Sequence, residues 1–138
     1  MQGRMLLGLI CPLGLSAMSA VAAAEIPDLP EAFDAGWQGA KTCELLYQTE
    51  TVRVGRCSFP PGIGHEKHFH YPHFGYVLEG GTLRITDADG NVEAVQTVTG
   101  DNWSTSSITV HEAMNIGETT TRYLIVEPVF VDPDPAAE

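Results

Sequence analysis

The chain has 138 residues, of which 18 are acidic, seven are basic and 43% are hydrophobic. That is the length of one ordinary domain, with enough apolar residues for one core and none to spare for a second. A strongly negative surface repels phosphate backbones and anionic lipid, so the composition argues against a nucleic-acid partner.

The first 24 residues differ from the rest and are typical of an export signal. Arg4 gives a positive start, Leu6 to Leu15 form an apolar stretch, and Ala22 to Ala24 supply the small residues of a cleavage site. We expect cleavage before Glu25 and a periplasmic or secreted chain that makes no membrane contact. The mature chain then keeps six basic and 18 acidic residues, a formal charge of −12. The alternative is an uncleaved anchor, because the apolar stretch approaches the roughly 20 residues that span a bilayer.

Residues 25–41 are rich in proline and acidic residues, with scattered large apolar side chains. This texture predicts an N-terminal arm that lies over a partner surface, such as a second copy in a homodimer, more than a packed element. Residues 132–138 have nothing to bury and predict a loose tail.

Between these segments, residues 42–131 predict one all-β domain. Its β-branched and aromatic runs are short and separated by Pro and Gly turn clusters, which is typical of a sandwich or barrel. The runs that we expect to be strands are Thr42–Thr49, Val52–Phe59, Gly75–Leu78, Thr82–Thr86, Val92–Val98, Ile108–Val110 and Tyr123–Glu127.

Two cysteines remain after cleavage, in a compartment where disulfides persist. If Glu50 sits at the turn of the first hairpin, Cys43 faces Cys57 and Leu46 faces Val54. Two separately buried thiols are an equally good reading, since a slip of one residue destroys the pairing.

Four of the five histidines lie between His65 and His73. His68 and His70 are two apart, so on a strand both imidazoles leave the same face and can hold one ion. His65, three before His68, should turn to the opposite face and take a place at the rim or behind the ligands.

The spacing around these histidines forms a longer pattern. Five residues separate Gly62 from His68, one separates His68 from His70, two separate His70 from His73, and six separate His73 from Gly80. Downstream, ten residues separate Gly100 from His111 and three more lead to Asn115.

In both motifs the sequence resembles the cupin superfamily. The first cupin motif runs Gly, five residues, His-x-His, three or four residues, Glu, six residues, Gly. The second runs Gly, five residues, Pro-x-Gly, two residues, His, three residues, Asn. Here Ser106 and Ile108 replace the Pro and Gly of the second motif, and the loop after His70 is a residue or two short. The resemblance covers roughly residues 52–128 and implies a double-stranded β-helix, the jelly-roll barrel.

The resemblance also implies a metal site. The family's ligands are the two motif histidines, the glutamate and the second-motif histidine, which carry over to His68, His70, His73 and His111. His73 stands in the glutamate position, so the site would be all nitrogen. Imidazole ligands favour iron, nickel, copper or zinc over magnesium and calcium.

The fold does not name the reaction. The similar small cupins are described as quercetin-dioxygenase-like, so we expect a mononuclear metal-dependent enzyme, an oxygenase or an isomerase or lyase, acting on a small organic molecule. A non-catalytic binder of metal or a metabolite is the alternative. Phe74, Trp103 and Met114 could line a pocket, although core packing explains them equally well. The sequence indicates no separate general acid or base.

Overall fold

The computed structural model describes residues 25–129. The expected export signal, residues 1–24, and the expected loose tail, residues 132–138, lie outside the described residues. The described chain is built of antiparallel β-strands, as the short apolar runs predicted, and no helix capable of spanning a bilayer occurs in it. The strands are β1 Gly36–Trp37, β2 Ala40–Lys41, β3 Cys43–Gln48, β4 Val52–Phe59, β5 Gly64–His70, β6 Phe74–Glu79, β7 Gly81–Asp87, β8 Val92–Thr97, β9 Asn102–Ser104, β10 Thr109–Asn115 and β11 Thr121–Pro128.

Two sheets enclose the core. One has the strand order β5-β10-β7-β8 and the other the order β3-β4-β11-β6-β9. Along β11, side chains alternate between buried and half-buried, with Tyr123 and Ile125 facing inward. This period of two follows from strand geometry and gives each sheet an inner and an outer face. Phe59 and Leu83 join Tyr123 and Ile125 in the core between the sheets.

The N-terminal arm packs on its own chain, contrary to the expectation of a partner surface. Phe33 belongs to the core cluster, and a Cβ at Gly55 would overlap its ring. Ala32 donates its backbone N–H to Phe69 at 2.9 Å, and Glu31 forms a parallel bridge with the same residue. The few apolar residues of the arm are enough to pack it on the barrel, because the barrel leaves a gap over Gly55 that one aromatic ring fills.

The first hairpin carries the disulfide that its register made possible. Cys43 lies opposite Cys57, and the two sulfurs are bonded. The expected pair of Leu46 and Val54 is wrong, because a bulge after Leu45 places Tyr47 opposite Val54. A bulge adds one residue to one strand only, so partners beyond it shift by one.

Candidate metal centre

Three of the expected ligands come together between β5 and β10. His111 lies directly opposite His68 in the antiparallel pair, and His70 follows two residues further along β5. One ring nitrogen from each can be chosen so that all three lie within 4.8 Å of one another. His68 and His70 are buried and His111 is half-buried. In residues 25–129 this is the only cluster of three or more potential ligands.

The hydrogen bonds of His68 leave one nitrogen available to an ion. Its Nδ1 lies 2.7 Å from the carbonyl oxygen of Glu66. A carbonyl can only accept, so Nδ1 carries the proton and Nε2 presents its lone pair. That Nε2 lies 2.9 Å from Nε2 of His70. Two nitrogens that each bind one metal ion at about 2.05 Å, with a right angle between the two bonds, are about 2.9 Å apart. The two imidazoles therefore have the spacing of neighbouring ligands.

The electrostatics also fit a cation. Burial, with a smaller effect of neighbouring imidazoles, lowers the pKa of His68 to about 2 and that of His111 to about 4. The same causes hold the pKa of His70 well below its usual range. At neutral pH the three rings are therefore uncharged and their lone pairs are free to bind a metal. Three imidazoles and no carboxylate form a donor set that suits late transition metals.

His73 lies beside this group without joining it. It is buried, and its ring centroid is 4.5 Å from that of His70. Nδ1 lies 2.8 Å from the carbonyl oxygen of Tyr71, and Nε2 accepts the indole N–H of Trp103 at 3.2 Å. An indole nitrogen can only donate, so the one lone pair of a neutral His73 points at Trp103. The role of His73 as a fourth ligand stays a prediction.

His65 lies on the same side as the ligands, so the expectation that it would face away is wrong. On β10, Ala113 lies two residues after His111. On β5, the residues paired with them, His65 and His68, lie three residues apart. β5 therefore contains a bulge at Glu66 and Lys67, which restores the orientation that simple alternation would have reversed. His65 is fully buried, with its ring centroid 3.8 Å from that of His68.

A cavity of about 370 Å³ opens beside the histidines. Its wall includes His111, Trp103 and Tyr123, and the remaining lining residues are mostly aliphatic: Val77, Leu83, Ile85, Val95 and Ala113. Four polar residues, Gln96, Thr97, Asp101 and Asn102, complete it. A mostly apolar cavity with a few polar groups is typical of a small-molecule site.

Of the three pocket residues suggested by the sequence, only Trp103 lies in this wall. Phe74 points outward and Met114 contacts Arg84. Tyr123 was not identified from the sequence as a pocket residue. Its inward position in the alternating pattern of β11 was the signal that could have revealed it.

No family model matches the sequence, and no curated protein matches it. Several solved structures match the fold of this chain. A cupin domain from Bordetella pertussis Tohama I is 19% identical, with a TM-score of 0.60, and the match covers 75% of this chain and 99% of that one. An RmlC-like cupin family protein from Methanocaldococcus jannaschii is 19% identical, with a TM-score of 0.51, over 66% and 84% of the two chains. A Klebsiella pneumoniae protein with a double-stranded β-helix domain is 20% identical, with a TM-score of 0.51, over 64% and 76%.

These likenesses establish the fold class. The chain has the cupin fold, a double-stranded β-helix, and the resemblance carried by the two motifs is confirmed at the level of the fold.

Proposed function

We propose that this chain is an exported, metal-dependent cupin enzyme that acts on a small, largely apolar organic molecule. His68, His70 and His111 would hold one divalent ion of iron, nickel, copper or zinc. One observation carries the proposal: His111 belongs both to the histidine cluster and to the wall of the apolar cavity. A molecule in the cavity would therefore lie next to the ion.

The chain's own residues have definite roles in this proposal. The aliphatic wall and the ring of Trp103 bind the apolar body of the molecule and exclude water, which strengthens electrostatic interactions inside the cavity. When bound, the ion supplies a Lewis acid that polarises a chelated group or activates dioxygen. The carbonyl of Glu66 fixes the tautomer and orientation of His68, as carbonyls do for metal-bound histidines.

A non-catalytic metal or metabolite binder is the second candidate, and one observation favours it. Among the described residues of the cavity wall, Asp101 is the only carboxylate. It is exposed and accepts a hydrogen bond from the backbone N–H of Val98. An enzyme that needs a carboxylate from the cavity wall as its general base would have to use this residue.

Export is part of the proposal and rests on residues 1–24. The bond between Cys43 and Cys57 supports it, because disulfides persist in oxidising compartments and are rare in the cytosol.

The deciding experiment is elemental analysis of the mature protein and of three single variants. We expect about one transition-metal ion per wild-type chain, and little metal in His68→Ala and His111→Ala. Glu112→Ala is the matched control, since Glu112 neighbours His111 in the chain but pairs loosely with Arg84 at 3.9 Å. Full occupancy in either histidine variant would overturn the assignment.

Catalysis is tested separately on the metal-loaded protein. Oxygen uptake and product formation are followed with small phenols, diketones and thiols. Turnover that disappears in His111→Ala supports the enzyme. Binding of such compounds without any turnover supports the second candidate.

A further inference from the structure

His70 lacks the kind of hydrogen bond that orients its neighbour His68. Nδ1 of His68 lies 2.7 Å from the carbonyl oxygen of Glu66. Nδ1 of His70, in contrast, is buried and has no hydrogen-bond partner among residues 25–129. A buried polar atom without a partner has lost its hydration and gained nothing in return, so such atoms are rare and each calls for an explanation.

Thr109 lies in the right place to supply a partner for His70. The register of β5 and β10 puts Thr109 directly opposite His70, as it puts His111 opposite His68. Opposite residues of an antiparallel pair share one face of the sheet, with their Cβ atoms about 4.5–5.5 Å apart. Oγ1 of Thr109 is also buried, and it also has no partner among the described residues. Two neighbouring side chains on the ligand face therefore each carry an unpaired polar atom.

The contact between His68 and His70 identifies the tautomer of His70 in the metal-free chain. Nε2 of His68 presents a lone pair, because its Nδ1 carries the proton, and this Nε2 lies 2.9 Å from Nε2 of His70. Two lone pairs at that distance would repel each other, so Nε2 of His70 carries a proton and donates it to His68. A neutral imidazole has one N–H, so Nδ1 of His70 is then an acceptor.

His70 must change tautomer when it becomes a ligand. Its Nε2 then needs a lone pair, so one proton leaves Nε2, another enters at Nδ1, and the ring stays neutral. Nδ1 thereby changes from acceptor to donor. A backbone carbonyl can only accept and would serve the second state alone. A hydroxyl can donate in the first state and accept in the second, because its O–H bond rotates.

We infer that Thr109 is the positioning residue of His70: its hydroxyl donates to Nδ1 in the metal-free chain and accepts from Nδ1 when His70 is a ligand. The inference rests on the proposed metal site. A change in the χ1 rotamer of Thr109 redirects the hydroxyl without moving the backbone. The two histidines of β5 are thus prepared in different ways. The carbonyl of Glu66 keeps His68 in the tautomer of a ligand, whereas Thr109 lets His70 convert.

The first experiment is titration of the chelator-treated mature protein with zinc, an ion that imidazole sites favour. Thr109→Val keeps the shape of the side chain and removes the hydroxyl, so zinc affinity should fall about tenfold or more, as when other groups behind metal ligands are removed. Thr109→Ser keeps the hydroxyl and should bind zinc nearly as well as the wild type. Thr121→Val is the matched control, because Oγ1 of Thr121 is likewise buried without a described partner but lies beside Gly81.

A second measurement separates positioning from a merely structural role of the hydroxyl. Nuclear magnetic resonance of protein with isotope-labelled histidine rings reports which nitrogen carries the proton. We expect the His70 proton on Nε2 in the metal-free wild type and on Nδ1 in the zinc-loaded form. The Nδ1–H signal of the zinc-loaded form should shift or disappear in Thr109→Val, because its acceptor is gone, and return in Thr109→Ser.

The outcomes distinguish this inference from the proposed function. Zinc affinity that falls in Thr109→Val but not in Thr109→Ser or Thr121→Val, together with the change of tautomer, supports the inference. Thr109→Val that binds zinc as tightly as the wild type overturns it and leaves the metal site in place, as does a His70 proton that stays on Nε2. A wild type that does not bind zinc overturns the proposed metal site and this inference together. If Thr109→Val does not fold, Thr109→Ala, which also lacks the hydroxyl, decides.

Discussion

The imidazole of His65 packs against that of His68, with the ring centroids 3.8 Å apart and the planes inclined by 33°. His65 in turn places its Nε2 3.9 Å from the sulfur of Cys43. The disulfide, His65 and the histidine cluster therefore form one continuous buried contact. Burial of so many imidazoles makes the metal-free chain sensitive to acid.

The first prediction concerns pH. Burial lowers the pKa of His65 to about 4, as it does for His111, and lowers that of His68 further. An unfolded chain protonates these rings near pH 6.5. Below that pH the unfolded state binds more protons than the folded state, so folding stability is full above about pH 6.5 and falls as the pH drops towards 4. Each of the three groups contributes on the order of 1 kcal/mol per pH unit.

Glu127 opposes this trend but does not cancel it. Burial raises its pKa to about 7, while nearby Arg53 lowers it. Between about pH 7 and its unfolded value near 4.5, the folded state is the one that binds the proton, so this single group adds stability as pH falls. The stability lost through the three histidines exceeds the stability gained through Glu127. Urea unfolding of chelator-treated protein should give a free energy several kcal/mol lower at about pH 5 than at about pH 7. Equal values would contradict the neutral, buried assignment of the histidines.

The second prediction concerns the disulfide. Thiol labelling of the denatured, unreduced mature protein should find no free cysteine, because Cys43 and Cys57 are bonded. Replacing both by Ala should lower the free energy of unfolding by about 3 kcal/mol, the value that the chain-entropy model gives for a closed loop of this size. Wild-type protein treated with reductant is the control for the substitution itself. Two labelled thiols in the unreduced wild type would refute the pairing.

The third prediction concerns Arg53, which holds the arm on the barrel. Its guanidinium contacts Glu31 of the arm and Glu127 of β11, and lies 5.1 Å from the ring centre of Phe33. Glu127 is fully buried, and 17% of the Arg53 side chain is exposed. Without Arg53 the pKa of buried Glu127 rises further, so its carboxyl takes up a proton and loses its hydrogen bond, and Arg53→Met should cost about 1–3 kcal/mol of unfolding free energy.

Arg56 provides the matched control for Arg53 on the same strand. It pairs with Glu44, and about half of each side chain is exposed. Arg56→Met should cost less than about 1 kcal/mol, because water screens exposed pairs. Urea unfolding at neutral pH measures both variants. Similar costs for the two would show that the Arg53 cluster contributes no more than a surface ion pair.

β-Branched and aromatic runs between turn clusters made most of the strands predictable, and bulges explain much of what was not. The β-branched runs of β4 and β11 indicated their positions, with ends within two residues. β5 was not among the expected strands, because Gly64-His65-Glu66-Lys67 has no β-branched residue. Its bulge, which brings His65 to the ligand face, leaves no mark in the sequence. Counting residues by twos predicts which face of a sheet a side chain occupies only where neither strand contains a bulge.

The cluster of His68, His70 and His111 could be proposed because two motifs resemble those of cupins, whose metal ligands carry over to these positions. The cavity could not, since it depends on how side chains from six strands, β6 to β11, leave a gap between them. The proline-rich, acidic composition of the arm predicts a segment that lies over a partner surface, because its large apolar side chains are scattered. Packing of Phe33 over Gly55 depends on the absence of a side chain elsewhere in the chain.

The fourth prediction concerns His73, whose Nε2 accepts a hydrogen bond from Trp103 in this structure. The lone pair cannot serve the indole and a metal at once. If the three-histidine site holds the ion, His73→Ala should keep about one ion per chain. Metal affinity should fall by less than about tenfold, because His73 packs against the ring of His70 while its hydrogen bonds go to Tyr71 and Trp103. His68→Ala, in contrast, should abolish binding. Metal titration of both variants measures the difference.

Two further variants distinguish the alternative, in which His73 leaves Trp103 and becomes the fourth ligand. Trp103→Phe keeps an aromatic ring and removes the N–H, which frees Nε2 of His73. If His73 is a ligand, metal affinity should then rise, because the hydrogen bond from Trp103 no longer has to break. If it is not a ligand, metal affinity should stay the same or fall. His73→Glu should shift preference towards manganese only for a ligand, since a carboxylate suits harder ions. Loss of metal from His73→Ala as complete as from His68→Ala would establish four histidines at the site.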